Sequence, residues 1–208
     1  MRVRAASAPL QIVVAVLIVA LLSVPAGVGA DAASVHRPPP LGTIVLAEIG
    51  FGYTVTSQGP LAASQFPTGS PSASAAAGAL STLGNTIETY QRSWQDATGV
   101  NQVQALVVRF PTEAGARAFV SAARRAIAHG EIVSSGPLPS IPGAQRATYF
   151  ASTNQEGVGQ TITLRSGVYA AVLSFFSGAS GNPAPITRAS AERVARAQYT
   201  AIGRLRVR

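Results

Sequence analysis

The sequence predicts an α+β fold, in which helices pack on a mainly antiparallel sheet, preceded by an N-terminal apolar leader or transmembrane helix. Three observations lead to this prediction. Strand-like segments follow one another through short turn signals, which favours antiparallel pairing. Amphipathic segments with helical periodicity interrupt the strands, as in folds that pack helices on one sheet. A long apolar run stands near the N-terminus and is not repeated later in the chain.

The leader occupies residues 1–30 and is predicted to be a signal peptide or a transmembrane anchor. Arg2 and Arg4 precede an apolar run at residues 10–24, and the small residues at 28–30 form a signal-peptidase site. The run can also be extended to about 20 residues, which is enough for an uncleaved anchor. In both cases the positive charges before the run leave the following domain outside the cytoplasm.

A Pro-rich linker at residues 31–41 is expected to follow, because its three consecutive prolines favour an extended chain. Residues 42–208 are then predicted to form a single extracytoplasmic α+β domain. Within this domain, residues 53–56 predict a first strand and the Ala-rich residues 75–83 predict a helix.

A β-hairpin is predicted at residues 87–95 and 103–110, joined by the turn signal at 96–99. The first strand alternates cleanly, so that Tyr90 and Trp94 share one face. We expect that face to point to the core and to the helix that follows the hairpin. Both sides of the second strand are apolar near its end, which indicates cover on both faces.

That helix is predicted to begin at Thr112, whose hydroxyl can cap it, and to end at Gly130. Small residues make up most of its buried side, with Phe119 as the one large aromatic anchor. On a helical wheel, the solvent side carries charged residues: Glu113, Arg117, Arg124 and Arg125.

Three strands and a helix are expected to complete the domain. Prolines within residues 132–143 predict a rigid connection before them. The strands are expected at residues 145–151, 157–165 and 168–177. The last of these is apolar on both faces, which predicts a place at the centre of the sheet. The final helix is capped by Thr187 or Ser190 and ends at Gly203, and residues 204–208 form an edge strand or a basic tail.

The composition excludes several catalytic machineries. The chain has no Cys, and therefore no disulfide, thiolate metal site or cysteine nucleophile. It also has no Lys, so a phosphate loop with its lysine and a Schiff-base lysine are excluded. Neither a GxSxG nucleophile elbow nor an HExxH zinc motif occurs. We therefore expect no cofactor, no metal site and no enzymatic activity.

Arg92, Tyr90 and Trp94 are the candidate binding residues. A guanidinium placed between two aromatic rings on one strand face can hold an anionic ligand. The alternative is a structural role, either a cation–π contact with those rings or an ion pair with Glu88.

Several short motifs occur together in the chain: Gly52-Tyr53, Gly59-Pro60-Leu61, Leu83-Gly84, Tyr90-x-Arg92-x-Trp94, Arg109-Phe110-x-Thr112-x-x-x-Ala116-x-x-Phe119 and Ile141-Pro142-Gly143-Ala144. In this combination the chain resembles uncharacterised secreted or membrane-anchored domains of high-GC actinobacteria over about residues 41–204. The resemblance implies an envelope location and no defined activity. More remotely, the element order is similar to the extracellular sensor domain of a mycobacterial receptor Ser/Thr kinase. That domain uses disulfides, so no binding residue is carried over to a chain without Cys.

The predicted function is that of a non-catalytic domain in the cell envelope, which binds an unknown ligand or protein partner. The domain is secreted, or held at the membrane by an uncleaved N-terminal segment. No nucleic-acid partner is expected, because the aromatic residues are few and are not interleaved with the basic ones.

One alternative is a secreted hydrolase with an unrecognised site, built on His129 or on glutamates. Another is a basic module, with a net charge of +8, that associates with anionic envelope surfaces through its C-terminal arginines.

Overall fold

The computed structural model describes residues 39–50, 52–60, 88–128, 132–152, 156–178 and 184–206. The strands in this part of the chain are β1 Tyr53–Pro60, β2 Glu88–Asp96, β3 Asn101–Arg109, β4 Ile132–Pro137, β5 Gln145–Ser152, β6 Glu156–Ser166 and β7 Tyr169–Gly178. The α-helices are α1 Glu113–Ala128 and α2 Arg188–Gly203. Short 3-10 helices occur at Leu41–Thr43 and Arg204–Arg206.

The strands form one sheet in the order β1-β2-β3-β7-β6-β5-β4, and every neighbouring pair is antiparallel. The predicted hairpin is confirmed as β2 and β3, with Trp94 opposite Val103. Its turn is held by Asp96, which accepts hydrogen bonds from the amides of Thr98 and Asn101. Gly99 has a φ of 72°, a conformation that a residue with a side chain rarely adopts.

Strand β7 lies at the centre of the sheet, as its two apolar faces predict. Its alternate side chains enter two separate hydrophobic clusters. Leu173 and Phe175 belong to the larger cluster on one face, and Ala170 belongs to the smaller cluster on the other. Both clusters bury apolar surface on the same strand, so the sheet is covered on two sides there.

Helix α1 covers the smaller cluster. Phe119 is 1% exposed and contacts Phe110, with the ring centroids 5.5 Å apart. The hydroxyl of Thr112 accepts a hydrogen bond from the amide of Gly115, which confirms the predicted start of the helix. We call this side of the sheet the α1 face.

Helix α2 and residues 41–50, here called the docked segment, cover the opposite side, the α2 face. Thr187 caps α2 by accepting a hydrogen bond from the amide of Ser190. Five residues of α2 are buried: Ala191, Val194, Ala195, Gln198 and Ile202. In the docked segment, Leu41, Ile44 and Val45 join the same cluster, and Leu41 is 1% exposed although it was expected to end the linker.

The structure corrects two local predictions. Residues 132–137 form the edge strand β4, where a rigid connection was expected. Proline is tolerated there because an edge strand has one side without a hydrogen-bonding neighbour, and Pro137 is its last residue. Arg204–Arg206 forms a 3-10 turn that extends α2, where an edge strand or a tail was expected.

The leader, most of the linker and the helix expected at residues 75–83 lie outside the described residues. Among the helices that are described, none combines the length and the apolarity that a membrane span requires.

Candidate functional site

The structure brings Arg92, Tyr90 and Trp94 together on the α2 face of β2. The guanidinium carbon of Arg92 lies 5.7 Å from the centroid of the Tyr90 ring, so the predicted cation–π contact is present. Trp94 is 1% exposed, and its ring N–H donates to the carbonyl of Ala47 at 3.4 Å. The helix on this face is α2, whereas the expectation had been the helix that follows the hairpin, α1.

Arg92 is only 8% exposed, and it holds the docked segment in place. Its Nη1 donates to the carbonyl oxygens of Val45, at 2.9 Å, and of Leu46. Its Nε donates to the side chain of Gln58 at 2.9 Å. These donors are therefore engaged by the protein itself, and ligand binding by Arg92, Tyr90 and Trp94 stays a prediction.

Glu88 forms its ion pair with Arg109, its neighbour across the β2–β3 ladder, and Arg92 is instead bonded to neutral oxygens. The remaining groups of the hydrolase alternative are dispersed or not described. Glu113 lies 3.9 Å from Arg165 on the α1 side of the sheet. His129 and Glu131 lie outside the described residues. Within the described ranges, no three acidic or histidine side chains converge to hold a metal ion.

A cleft of about 310 Å³ opens on the α1 face, between the C-terminal half of α1 and strands β4, β5 and β6. Its walls include Arg124 from α1, Ser135 from β4, Ala147 from β5, and Thr161 and Thr163 from β6. Ser135, Ala147 and Thr161 are in register across the three strands, so their side chains share this face.

Three arginines line the cleft, Arg124, Arg125 and Arg146, and Arg124 is the one that bonds to strand β6. Its Nε donates to the hydroxyl of Thr163 at 3.1 Å, and its Nη2 donates to the carbonyl of Gly143 at 2.6 Å. The side chain is half-buried. Burial lowers the pKa of Arg124, and the neighbouring positive charge of Arg165 lowers it further. The group stays charged at physiological pH, because an arginine titrates far above it.

The cleft combines a fixed cation and hydroxyl groups with a lining surface that is mainly apolar. The described residues that line the cleft supply hydrogen-bond donors and positive charge. None of them is a carboxylate or an imidazole that could transfer protons near neutral pH. The arrangement is suited to holding a ligand.

Sequence reasoning missed this cleft because it placed Arg124 on the solvent side of the helix. Arg117 and Arg125 are indeed exposed, but Arg124 follows the buried Ala123 and reaches back over the sheet. A usable signal was present in β6, where Thr161 and Thr163 make one face of a buried strand polar. An unusually polar face next to a helix with small residues predicts a gap above the sheet.

The similarity of this chain to known proteins lies in its fold. No protein-family model matches the sequence. No curated protein matches it either. Among solved structures, the chain is similar to the crystal structure of the extracellular domain of PknH from Mycobacterium tuberculosis, with a TM-score of 0.58 and 14% sequence identity. The match covers 81% of this chain and 99% of that one, so the two share an antiparallel α+β fold.

Proposed function

We propose that this protein is a non-catalytic domain of the cell envelope, displayed outside the cytoplasm, and that it binds its ligand in the cleft between α1 and strands β4–β6. The observation that carries the proposal is the cleft itself. It is concave, it has a volume in the range of small-molecule sites, and a few polar groups converge on it.

Two further observations support the location. The leader has the charged start and the apolar run of an export signal or anchor. The solved structure to which the chain is similar is an extracellular domain. Neither observation identifies a ligand, and both agree with a domain that works outside the cytoplasm.

Non-catalytic binding is preferred to hydrolysis because the described side chains of the cleft lack an acid–base pair. Two of the candidate acids have arginine neighbours: Glu88 pairs with Arg109, and Glu113 lies 3.9 Å from Arg165. Association with anionic surfaces through the C-terminal arginines is a weaker alternative, because Leu205 lies among those arginines and packs against the core.

The experiment compares Ser135→Trp with Ser134→Trp. Both serines are exposed on the edge strand β4, but only Ser135 lines the cleft. Each variant and the original protein are incubated with envelope lipid extract and with cell-wall hydrolysate, repurified, and analysed by native mass spectrometry. We expect Ser135→Trp to lose a retained small molecule that the other two proteins keep. Equal retention by all three proteins, or no retention by any, would contradict the proposal.

A further inference from the structure

The described residues that line the cleft include positively charged side chains and no carboxylate. The described hydrogen bonds of Arg124 go to two neutral oxygens, the hydroxyl of Thr163 and the carbonyl of Gly143. A guanidinium has five N–H donors, so donors of Arg124 remain available for a ligand. The neighbouring charge that lowers the pKa of Arg124 is that of Arg165, which is also positive.

Arg124 differs in its partners from Arg92, Arg109 and Arg165. The half-buried Arg146, which also lines the cleft, donates to the hydroxyl of Thr148. Arg109 is paired with Glu88, and Arg92 is surrounded by carbonyl oxygens and an amide. Arg165 lies 3.9 Å from Glu113. Arg124 is held over the sheet, partly removed from water, with no carboxylate as a described partner. A cation held in this way gains more from an anion than a solvated one does, because the effective dielectric is lower.

Two common structural roles do not account for Arg124. A basic residue near the C-terminal end of a helix often binds the last carbonyls of its own helix. Arg124 instead bonds to β6 and to the turn before β5. A surface arginine is often solvated, as Arg117 is on the same helix. Two hydrogen bonds fix the orientation of Arg124, which lowers the entropy that a ligand must remove.

We propose that the cleft binds an anionic group, a phosphate or a carboxylate, through the guanidinium of Arg124, an inference that rests on the proposed function and names the chemistry of its ligand. Thr161 lies two residues from Thr163 on the same face of β6 and adds a hydroxyl donor to the site. Ala147 and Ile132 provide apolar surface for the rest of the ligand. The volume of about 310 Å³ fits an anionic headgroup or a small metabolite, and not a folded protein.

The test uses the whole protein and three substitutions on α1. Arg124→Gln removes the charge, Arg124→Lys keeps it, and Arg117→Gln removes the same charge from the exposed side of the same helix. Inorganic phosphate and acetate are titrated at low ionic strength, and the amide signals of Thr161 and Thr163 are followed by NMR. A melting temperature for each variant shows that it is folded.

We expect saturable shifts with phosphate or acetate in the original protein and in Arg117→Gln. Arg124→Gln should bind about tenfold more weakly or worse, because a charge-assisted hydrogen bond is lost, and Arg124→Lys should bind with intermediate affinity. The absence of saturable shifts, or equal weakening by Arg124→Gln and Arg117→Gln, would overturn the inference.

Vesicles distinguish the two sources of such a group. Arg124-dependent binding to phosphatidylglycerol vesicles, and not to phosphatidylcholine vesicles, assigns the anion to a lipid headgroup. Binding of the free anions without vesicle binding assigns it to a soluble ligand.

Retention of a neutral molecule that depends on Ser135, without any effect of phosphate or acetate, would overturn this inference and leave the proposed function standing. Arg124-dependent phosphate binding by a protein that retains no molecule from the extracts would support this inference and contradict the proposed function.

Discussion

Single residues with similar chemistry have different roles in this molecule, and the oxygens that surround each side chain decide the role. Arg92 lies on strand β2 of the sheet, and Arg124 lies on helix α1, which packs against the sheet. Arg92 is enclosed by backbone carbonyls of the docked segment, so its charge stabilises the fold. Arg124 is half-buried and has two described hydrogen bonds, to β6 and to a turn, so other donors of its guanidinium are available to a ligand.

Arg92→Lys is expected to lower the free energy of unfolding by about 2–3 kcal/mol. A lysine keeps the charge, but its compact ammonium cannot reach Gln58 and the carbonyls of Val45 and Leu46 together. Urea denaturation measures the loss, and hydrogen exchange should show faster opening of residues 41–50. A variant of unchanged stability would show that these hydrogen bonds are not structural.

Phe119→Ala is expected to be among the most destabilising single changes, at about 3–5 kcal/mol, because it leaves a cavity under α1 beside Phe110. The control is Val133→Ala, since Val133 is 53% exposed on β4 and its truncation opens no cavity. Thermal melts of the two variants give the comparison. A midpoint for Phe119→Ala that equals that of the original protein would refute the predicted role of this side chain.

At the level of elements, the hairpin of β2 and β3 depends on one carboxylate. Asp96 accepts hydrogen bonds from the amide and hydroxyl of Thr98 and from the amide of Asn101. Partial burial raises the pKa of Asp96, but these hydrogen bonds outweigh it, and the pKa lies below its usual value. The turn therefore favours the ionised form.

The pH dependence follows from the sign of that shift. Because the pKa of Asp96 is lower in the folded protein than in the unfolded chain, its contribution is complete above about pH 4 and is lost as the pH falls through the folded value. Asp96→Asn should therefore lose less stability than the original protein between about pH 5 and pH 2. Urea midpoints measured across this range test the prediction, and parallel curves for the two proteins would contradict it.

At the level of the whole molecule, the α2 face is closed by parts of the chain that are far apart in sequence. Gln198 of α2 is fully buried and bonds to the backbone of the docked segment on both of its polar atoms. Its Nε2 donates to the carbonyl of Ile44 at 3.0 Å, and its Oε1 accepts from the amide of Leu46 at 3.2 Å. Gly42 passes so close to Tyr90 that an added Cβ would lie 2.9 Å from its ring.

Gln198→Leu is expected to cost about 2–4 kcal/mol, because it leaves a buried carbonyl and a buried amide without partners. The matched control is Gln104→Leu, which makes the same change at an exposed position of β3. Chemical denaturation of both variants is the measurement. Equal effects of the two substitutions would mean that the docked segment does not depend on Gln198.

Much of this architecture was predictable from local patterns. The apolar alternation of β2 and β3, the turn at Asp96 and Gly99, and the two-sided apolar run of β7 each reflect a constraint within a few residues. The cap of α2 is local in the same sense, although the pattern left Thr187 and Ser190 as alternatives and the structure shows Thr187. The edge strand β4 was missed because Pro137, Pro139 and Pro142 indicated a connection, whereas only Pro137 lies in the strand, at an edge position that tolerates it.

The sequence by itself determined the fold class, the centre of the sheet and the cap of α1, and it narrowed the cap of α2 to Thr187 or Ser190, because periodicity and capping act over a few residues. Only the tertiary structure decided which side of the sheet each helix covers and how Arg92 and Arg124 differ. Those outcomes depend on oxygens brought close by segments distant in sequence, such as Val45 for Arg92 and Thr163 for Arg124. A helical wheel assigns a residue to a side of its own helix, and it contains no information about the strand that a long side chain reaches.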